Sequence, residues 1–350
     1  MTYLSTITLG SISNLFGYYM RPMRLFILPL NYNLIIRGGN KMKLQGKHII
    51  DASDLSVDEL NLIIDLALEM KANTEKFSNL CKGKILATLF YEPSTRTRLS
   101  FESAMLRMGG AIIGFSDAET SSVKKGENIA DTIRVLNNYA HIIVMRHPRE
   151  GAPLLASQYS TIPVINGGDG GHQHPTQTLT DLLTIKYYKN DIKDIKIAIC
   201  GDLLFGRSVH SLLKTLSRYP NTEFVLISPS ELRIPYYLKN DIMKKHNVRI
   251  LETTSLEEYM DYVNVLYMTR IQKERFFSED EYIKLKGSYV LTPEKLKYAR
   301  KDLLLMHPLP RVNEIDYEVD KDPRAKYFEQ ASLGVFARMA LMALLLGRDY

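Results

Sequence analysis

The stretch Lys84-Ile85-Leu86-Ala87-Thr88-Leu89-Phe90, followed closely by Glu92-Pro93-Ser94-Thr95-Arg96-Thr97-Arg98, decides the fold. A short, nearly continuous apolar run reads as a strand covered on both faces, as in parallel sheets. Pro93 biases Glu92 away from helical backbone, so a helix begins no earlier than Ser94 or Thr95, either of which can cap it. Polar residues thus fall at the carboxyl end of a strand, where open α/β sheets gather ligands.

The same alternation continues in both directions. Apolar residues from Leu55 to Met70 recur at helical spacing. Ala111–Phe115, Ile142–Met145 and Val164-Ile165 read as strands, and Glu127–Asn138 as a helix. A helix from Thr176 to about Tyr188 leads to strand Ile197–Cys200, helix Ser208–Ser217 and strand Phe224–Ile227, with Asn264–Met268 and Leu303–Met306 as further strands. Strands alternating with helices predict an α/β fold with mainly parallel sheets flanked by helices. Arg146-His147, Gly201-Asp202, Arg270 and His307–Arg311 each follow such a strand, so separated stretches can share one cleft.

A chain of 350 residues is long enough for two domains, and 45% hydrophobic with 24% charged residues is a folded, soluble composition. Cys81 and Cys200 make neither a disulfide framework nor a four-thiolate metal site, so a reducing cytoplasm is the simplest compartment. The net charge of +6 lies wholly in residues 1–50, where Arg21, Arg24, Arg37, Lys41, Lys43 and Lys47 meet no acid; the other 300 residues balance at 39 basic and 39 acidic. Bulk charge therefore gives no ground for a nucleic-acid partner. Residues 1–42 read as an extension with no clean membrane-spanning run, and three origins stay open: a misplaced translation start, an organelle-targeting segment or a structural arm.

Ser94–Arg98 combines three hydroxyls and two guanidinium groups at a helix amino terminus, a set of donors suited to phosphate. A capped surface helix with solvated arginines is the ordinary alternative. Gly201-Asp202-Leu203-Leu204-Phe205-Gly206 lacks the close glycine spacing of a dinucleotide loop, and no Walker pattern occurs, so no nucleotide cofactor is expected. His172 and His174 lack a recognisable third and fourth ligand, so no metal is expected either. Ser121-Ser122-Val123-Lys124-Lys125-Gly126 reads as a positively charged loop, on its own no more than a solvated one.

From about Gly46 to Asp349 the chain resembles the aspartate carbamoyltransferase family. The resemblance rests on Phe90–Arg98, Val144-Met145-Arg146-His147-Pro148, His174-Pro175-Thr176-Gln177, Tyr267-Met268-Thr269-Arg270-Ile271-Gln272-Lys273-Glu274-Arg275 and His307-Pro308-Leu309-Pro310-Arg311, in that order. It implies transfer of a carbamoyl group from carbamoyl phosphate to L-aspartate in pyrimidine synthesis, without a cofactor. It also implies a carbamoyl phosphate domain over 43–175 with 331–350 returning to it, a connecting helix 176–189, and an aspartate domain over 190–330.

By the same resemblance, carbamoyl phosphate falls to Ser94, Thr95, Arg96, Thr97, Ser121, Lys125, Arg146, His174, Gln177, Pro308 and Leu309. Arg96, Thr97, Lys125, Arg146 and His174 carry the catalytic role, and Thr97, Arg146 and His174 surround the carbamoyl oxygen. Aspartate falls to Lys125, Arg207, Arg270, Gln272 and Leu309, while Glu92 pairs with Arg207 and Arg275 on domain closure. The loop segment is slightly shorter than in some bacterial relatives, which leaves Ser121 preferred over Ser122. The resemblance implies a homotrimer in which a neighbouring chain supplies Ser121 and Lys125; the family also includes assemblies with separate zinc-containing regulatory chains. No general base is identified, and proton transfer to the departing phosphate is the simpler route. An ornithine-specific enzyme and a phosphate-binding regulatory protein are the competing readings; Arg270 favours aspartate over ornithine.

Overall fold

The computed structural model describes residues 44–116, 126–271, 280, 283, 285, 287 and 289–348. The extension 1–42 lies outside them, as do Ser121, Ser122, Lys124, Lys125, Gln272 and Arg275.

The first sheet comprises β1 (Ile85–Phe90), β2 (Ala111–Phe115), β3 (Ile142–His147) and β4 (Val164–Asp169), ordered β2-β1-β3-β4. Every pairing is parallel. Helices α1 (Val57–Ala72), α2 (Thr95–Arg107), α3 (Ile129–Leu136) and α4 (Ala152–Tyr159) accompany it. After α5 (Pro175–Lys189) come β5 (Lys196–Cys200), α6 (Arg207–Leu216), β6 (Glu223–Ile227), α7 (Tyr236–His246), β7 (Arg249–Thr253), β8 (Val265–Met268), the short α8 (Pro293–Leu296), β9 (Leu304–Met306) and the long α9 (Tyr327–Leu345). The second sheet is also wholly parallel, in the order β7-β6-β5-β8-β9. The expected α/β class with two parallel sheets holds.

Continuous apolar strands here mean burial on both faces. In β3, Ile142 and Val144 join one core cluster, whereas Ile143 and Met145 join another with Ile133 and Ala156. In β5, Ile197 and Ile199 face the first cluster and Ala198 and Cys200 a third. The first cluster runs through α1, α5 and α9 to side chains of both sheets. Helix α9 packs chiefly on α1, α5 and α2. Its length and hydropathy would suffice for a membrane span, yet most of its surface is buried inside the protein.

Several boundaries differ from the sequence expectation. Strand β3 continues to His147, and β4 continues through Gly167 and Gly168 to Asp169. Helix α3 starts only after Asn128, whose side chain accepts from Asp131 N and so fixes the cap. Helices α4, α7, α8 and α9 and strand β7 had no predicted counterpart; β7 is a half-exposed edge strand, Arg-Ile-Leu-Glu-Thr, without a continuous apolar run. At α2, Ser94 occupies the cap position in extended backbone, but its side chain makes no capping hydrogen bond.

Candidate active site

A cavity of about 450 Å³ opens where the carboxyl ends of strands from both sheets meet. Glu92, Ser94, Thr95, Arg96 and Thr97 enter it from the β1–α2 junction, Arg146 from β3, His174 and Gln177 from the start of α5. From the second sheet come Arg207 at the first turn of α6, Thr269 and Arg270 after β8, and His307, Pro308 and Leu309 after β9. Apart from Arg98, the cavity thus gathers every sequence-predicted site residue that is described.

Register explains the proximity. Phe90 pairs with Arg146 across β1 and β3, and Tyr91 N donates to Arg146 O at 2.9 Å. The next residue, Glu92, then sets its Oε1 3.1 Å from Arg146 Nη2. Arg146 is thus a partner of Glu92 here; the pairing with Arg207 and Arg275 is expected on domain closure, and Arg275 lies outside the described residues. Arg98, although part of the motif, leaves the cavity and pairs with Glu102 at 3.0 Å, one turn along α2. One of the two motif guanidinium groups is therefore structural.

The helix amino terminus stays available to an anion. No acid occupies the first turn of α2, the Ser94 hydroxyl is not spent on capping, and the first-turn amides have no intrahelical acceptor by geometry. Gly168 is required beside this site: its φ is +116°, and a Cβ there would sit 3.3 Å from Arg146 Nη1 and 3.5 Å from the Arg207 guanidinium carbon. Gly201, at φ +129°, permits a similar approach, since a Cβ would lie 2.1 Å from Thr269 O, just before Arg270.

The turn carrying His174 is built on a buried carboxylate. Asp169 Oδ1 accepts from Asn166 Nδ2 at 2.8 Å and Gln173 N at 3.1 Å; Oδ2 accepts from Gly151 N at 2.9 Å. Ser211 on α6 then donates to Gln173 Oε1 at 2.6 Å, which ties this turn to the second lobe. His174 is buried, and burial, with the positive charges of Arg207, Arg146 and Arg338, holds its pKa well below the ordinary value. It is consequently neutral at pH 7.

Among the described residues five arginines line the cavity, Arg96, Arg146, Arg207, Arg270 and Arg338, against one acid, Glu92. Burial lowers the Arg96 pKa, and Arg146 and Arg270 lower it further by repulsion. Arg338, buried on α9, is pushed down to about 10 by burial, against the attraction of Asp181. Arginine side chains stay protonated in folded proteins at neutral pH, so the cluster is strongly positive. Such a ring favours ligands with several negative charges and disfavours an additional cation.

The last wall is a loop in unusual backbone. Leu309 has φ +52°, a conformation costly for a residue with a Cβ. Its N–H donates to His307 Nδ1 at 2.8 Å, so the ring proton resides on Nε2, which meets Glu314 Oε1 at 2.7 Å. Glu314 Oε2 accepts from both Val312 N and Asn313 N at 3.1 Å, which closes the loop on itself. Among the described residues no cluster of His, Cys, Asp and Glu could hold a metal ion.

Residues 47–187 match the family described as "Aspartate/ornithine carbamoyltransferase, carbamoyl-P binding domain", and residues 193–345 match "Aspartate/ornithine carbamoyltransferase, Asp/Orn binding domain". The chain belongs to this family. An aspartate carbamoyltransferase catalytic subunit of Alkaliphilus metalliredigens is 69% identical over 306 residues, covering 87% of this chain and 98% of the relative. Among solved structures, the catalytic subunit of M. jannaschii aspartate transcarbamoylase aligns with TM-score 0.80 and 52% identity, over 86% of this chain and 98% of that one. Aspartate transcarbamoylase from Trypanosoma cruzi, solved with carbamoyl phosphate and aspartate, aligns with TM-score 0.82 and 39% identity, over 87% and 98% of the two chains.

Sequence reasoning did not single out Arg338, Asp181, Gln330, Asp169 or Glu314. An isolated arginine within the apolar run Leu333–Leu346 was a readable signal, because a charge on such a helix needs a polar destination. Asp181 and Gln330 carried none, since they approach each other only in the folded chain.

Proposed function

We propose that this chain transfers the carbamoyl group of carbamoyl phosphate to the amino group of L-aspartate, giving N-carbamoyl-L-aspartate and phosphate. The observation that carries this reading is that, among the described residues, five guanidinium groups surround one helix amino terminus and are balanced by one carboxylate. Carbamoyl phosphate and aspartate together bring a phosphate and two carboxylates. Ornithine would instead bring a side-chain ammonium into a field already strongly positive, so the ring disfavours the alternative acceptor.

In this reading Ser94, Thr95, Arg96 and Thr97 hold the phosphate on the first turn of α2, with Arg146 beside it. Thr97, Arg146 and His174 face the carbamoyl oxygen. The aspartate nitrogen attacks the carbamoyl carbon, the C–N bond forms, negative charge builds on that oxygen, and these donors stabilise it. Collapse breaks the bond from the carbamoyl carbon to the bridging anhydride oxygen, and the phosphate leaves with the electron pair. It can take up the proton that the amine releases, so no protein base is required. Neutral His174 serves as donor because burial and three neighbouring guanidinium groups suppress its protonated form. Arg207 takes the α-carboxylate and Arg270 the β-carboxylate of aspartate, while Pro308 and Leu309 offer carbonyl oxygens to the substrate amines. Holding both reactants in one cavity supplies much of the rate by proximity.

The reading extends to a homotrimer in which Ser121 and Lys125 of a neighbouring chain complete the positive site and Gln272 contacts aspartate. Large exposed leucines on the outer face of α2, Leu99 and Leu106, support a subunit contact there. It also places the enzyme in the cytoplasm, in pyrimidine synthesis, and accommodates a separate zinc-containing regulatory chain. Sedimentation of the full chain and of a version beginning at Met42 tests the trimer: a monomer at assay concentration would contradict it. Recovery of a zinc-bearing second chain on native purification tests the regulatory partner.

A further inference from the structure

We propose that Asp181 is a positioning residue whose Oδ1 fixes which end of the Gln177 amide faces the cavity, and thereby selects the carbamoyl amine. Asp181 lies on α5 behind the cavity wall and is fully buried. Its Oδ1 accepts from Gln177 Nε2 at 2.8 Å, one turn earlier on the same helix, and from Gln330 Nε2 at 2.7 Å on α9. Its Oδ2 accepts from the Tyr267 hydroxyl at 3.0 Å, on β8.

An oxygen that can only accept forces both amides to turn their NH2 groups toward it. Gln177 is then left with its carbonyl oxygen for the cavity, an acceptor that matches an NH2 donor and offers nothing to a methyl group. Gln330 is oriented in the same way: its Oε1 accepts from His307 N at 2.9 Å, at the base of the loop that carries Leu309. One carboxylate thus sets the polarity of a side chain at the carbamoyl end and anchors the loop on the opposite wall.

Burial pushes the Asp181 carboxyl up to about 7, against hydrogen bonds from Gln177, Gln330 and Tyr267 and the attraction of Arg338. The polarity survives protonation, because a proton on Oδ2 can be donated to the Tyr267 oxygen while Oδ1 continues to accept. Asparagine can mimic that state and leucine cannot. A buried amide facing the wrong partner is costly, which gives the orientation its force.

The proposal rests on the placement of Gln177 in the carbamoyl phosphate site, and adds that its carbonyl oxygen meets the carbamoyl amine. Its test compares the KM for carbamoyl phosphate with the inhibition constant of acetyl phosphate, which carries a methyl group where carbamoyl phosphate carries NH2. In the full chain, Asp181→Leu is expected to raise the carbamoyl phosphate KM about tenfold, or about 1.4 kcal/mol, and to leave the acetyl phosphate constant within about twofold. Asp181→Asn should stay within about threefold for both ligands. In a Gln177→Ala background, Asp181→Leu should add less than about twofold.

Equal weakening of both ligands by Asp181→Leu, equal damage from Asn and Leu, or a full effect persisting without Gln177 would each overturn the proposal. Where the leucine variant does not fold, Asp181→Ser carries the same expectation, and a normal preference for carbamoyl over acetyl phosphate in it is the overturning result. Gln177→Ala by itself reports on the underlying assignment: an unchanged preference there would remove Gln177 from the amine, whatever Asp181 does.

Discussion

The carboxylate of Glu92 lies 3.1 Å from Arg146 Nη2, with its other oxygen buried and without a hydrogen-bond partner among the described residues. Arg146 is the more enclosed of the two side chains, and its Nε is likewise unpartnered among them. Glu92 therefore holds a guanidinium that the reaction would direct to the carbamoyl oxygen.

Glu92→Gln removes the charge of that pair and keeps its shape. We expect kcat/KM for aspartate to fall by about tenfold, the scale of one charge-assisted hydrogen bond, with fold stability little changed. Steady-state kinetics with both substrates checks this, and an unchanged profile would remove Glu92 from the working site.

Arg270→Ala should act on one substrate only. Losing a guanidinium from a carboxylate costs about 1.5–3 kcal/mol, so the aspartate KM should rise by roughly ten- to a hundredfold, with carbamoyl phosphate binding within about threefold. Equal losses for the two substrates would show that Arg270 serves the cavity as a whole.

His174 should remain neutral well below pH 6.5. Its folded pKa is depressed by burial and by Arg207, Arg146 and Arg338, so the unfolded chain takes up a proton near pH 6.5 that the folded chain refuses. The stability tied to this residue is complete above pH 6.5 and is lost as pH falls toward the folded value. NMR titration of labelled histidine tests the sign; a His174 resonance with an ordinary midpoint near 6.5 would contradict it.

Asp181 has the opposite sign. With its folded pKa raised from 3.8 to about 7, the native state keeps a proton that the unfolded state has released. Its contribution is greatest below pH 3.8, declines as pH rises and levels off above about 7. Urea unfolding at pH 5 and pH 8 should show wild type losing stability relative to Asp181→Asn across that interval. A constant difference between the two proteins would contradict the shift.

Legibility followed the physics of each feature. The strands could be read because both-face burial demands apolar runs such as Ile142–Met145, and their ligand-bearing ends could be read because Ser94–Thr97, Arg146, Arg270 and Leu309 come just after such runs. The edge strand Arg249–Thr253 escaped notice because an exposed edge imposes no such run. Arg98 misled for a different reason: its composition suits an anion site, yet helical spacing brings Glu102 within reach. The network of Asp181, Gln330, Tyr267 and His307 joins residues far apart in the chain, and nothing local in any of them announces the others.

The central claim is tested most directly by giving the full chain carbamoyl phosphate with either L-aspartate or L-ornithine and measuring carbamoyl amino acid and inorganic phosphate together. Stoichiometric carbamoyl aspartate and phosphate, with no citrulline from ornithine, is the predicted result. Citrulline as the preferred product, or phosphate release independent of either amino acid, would contradict it.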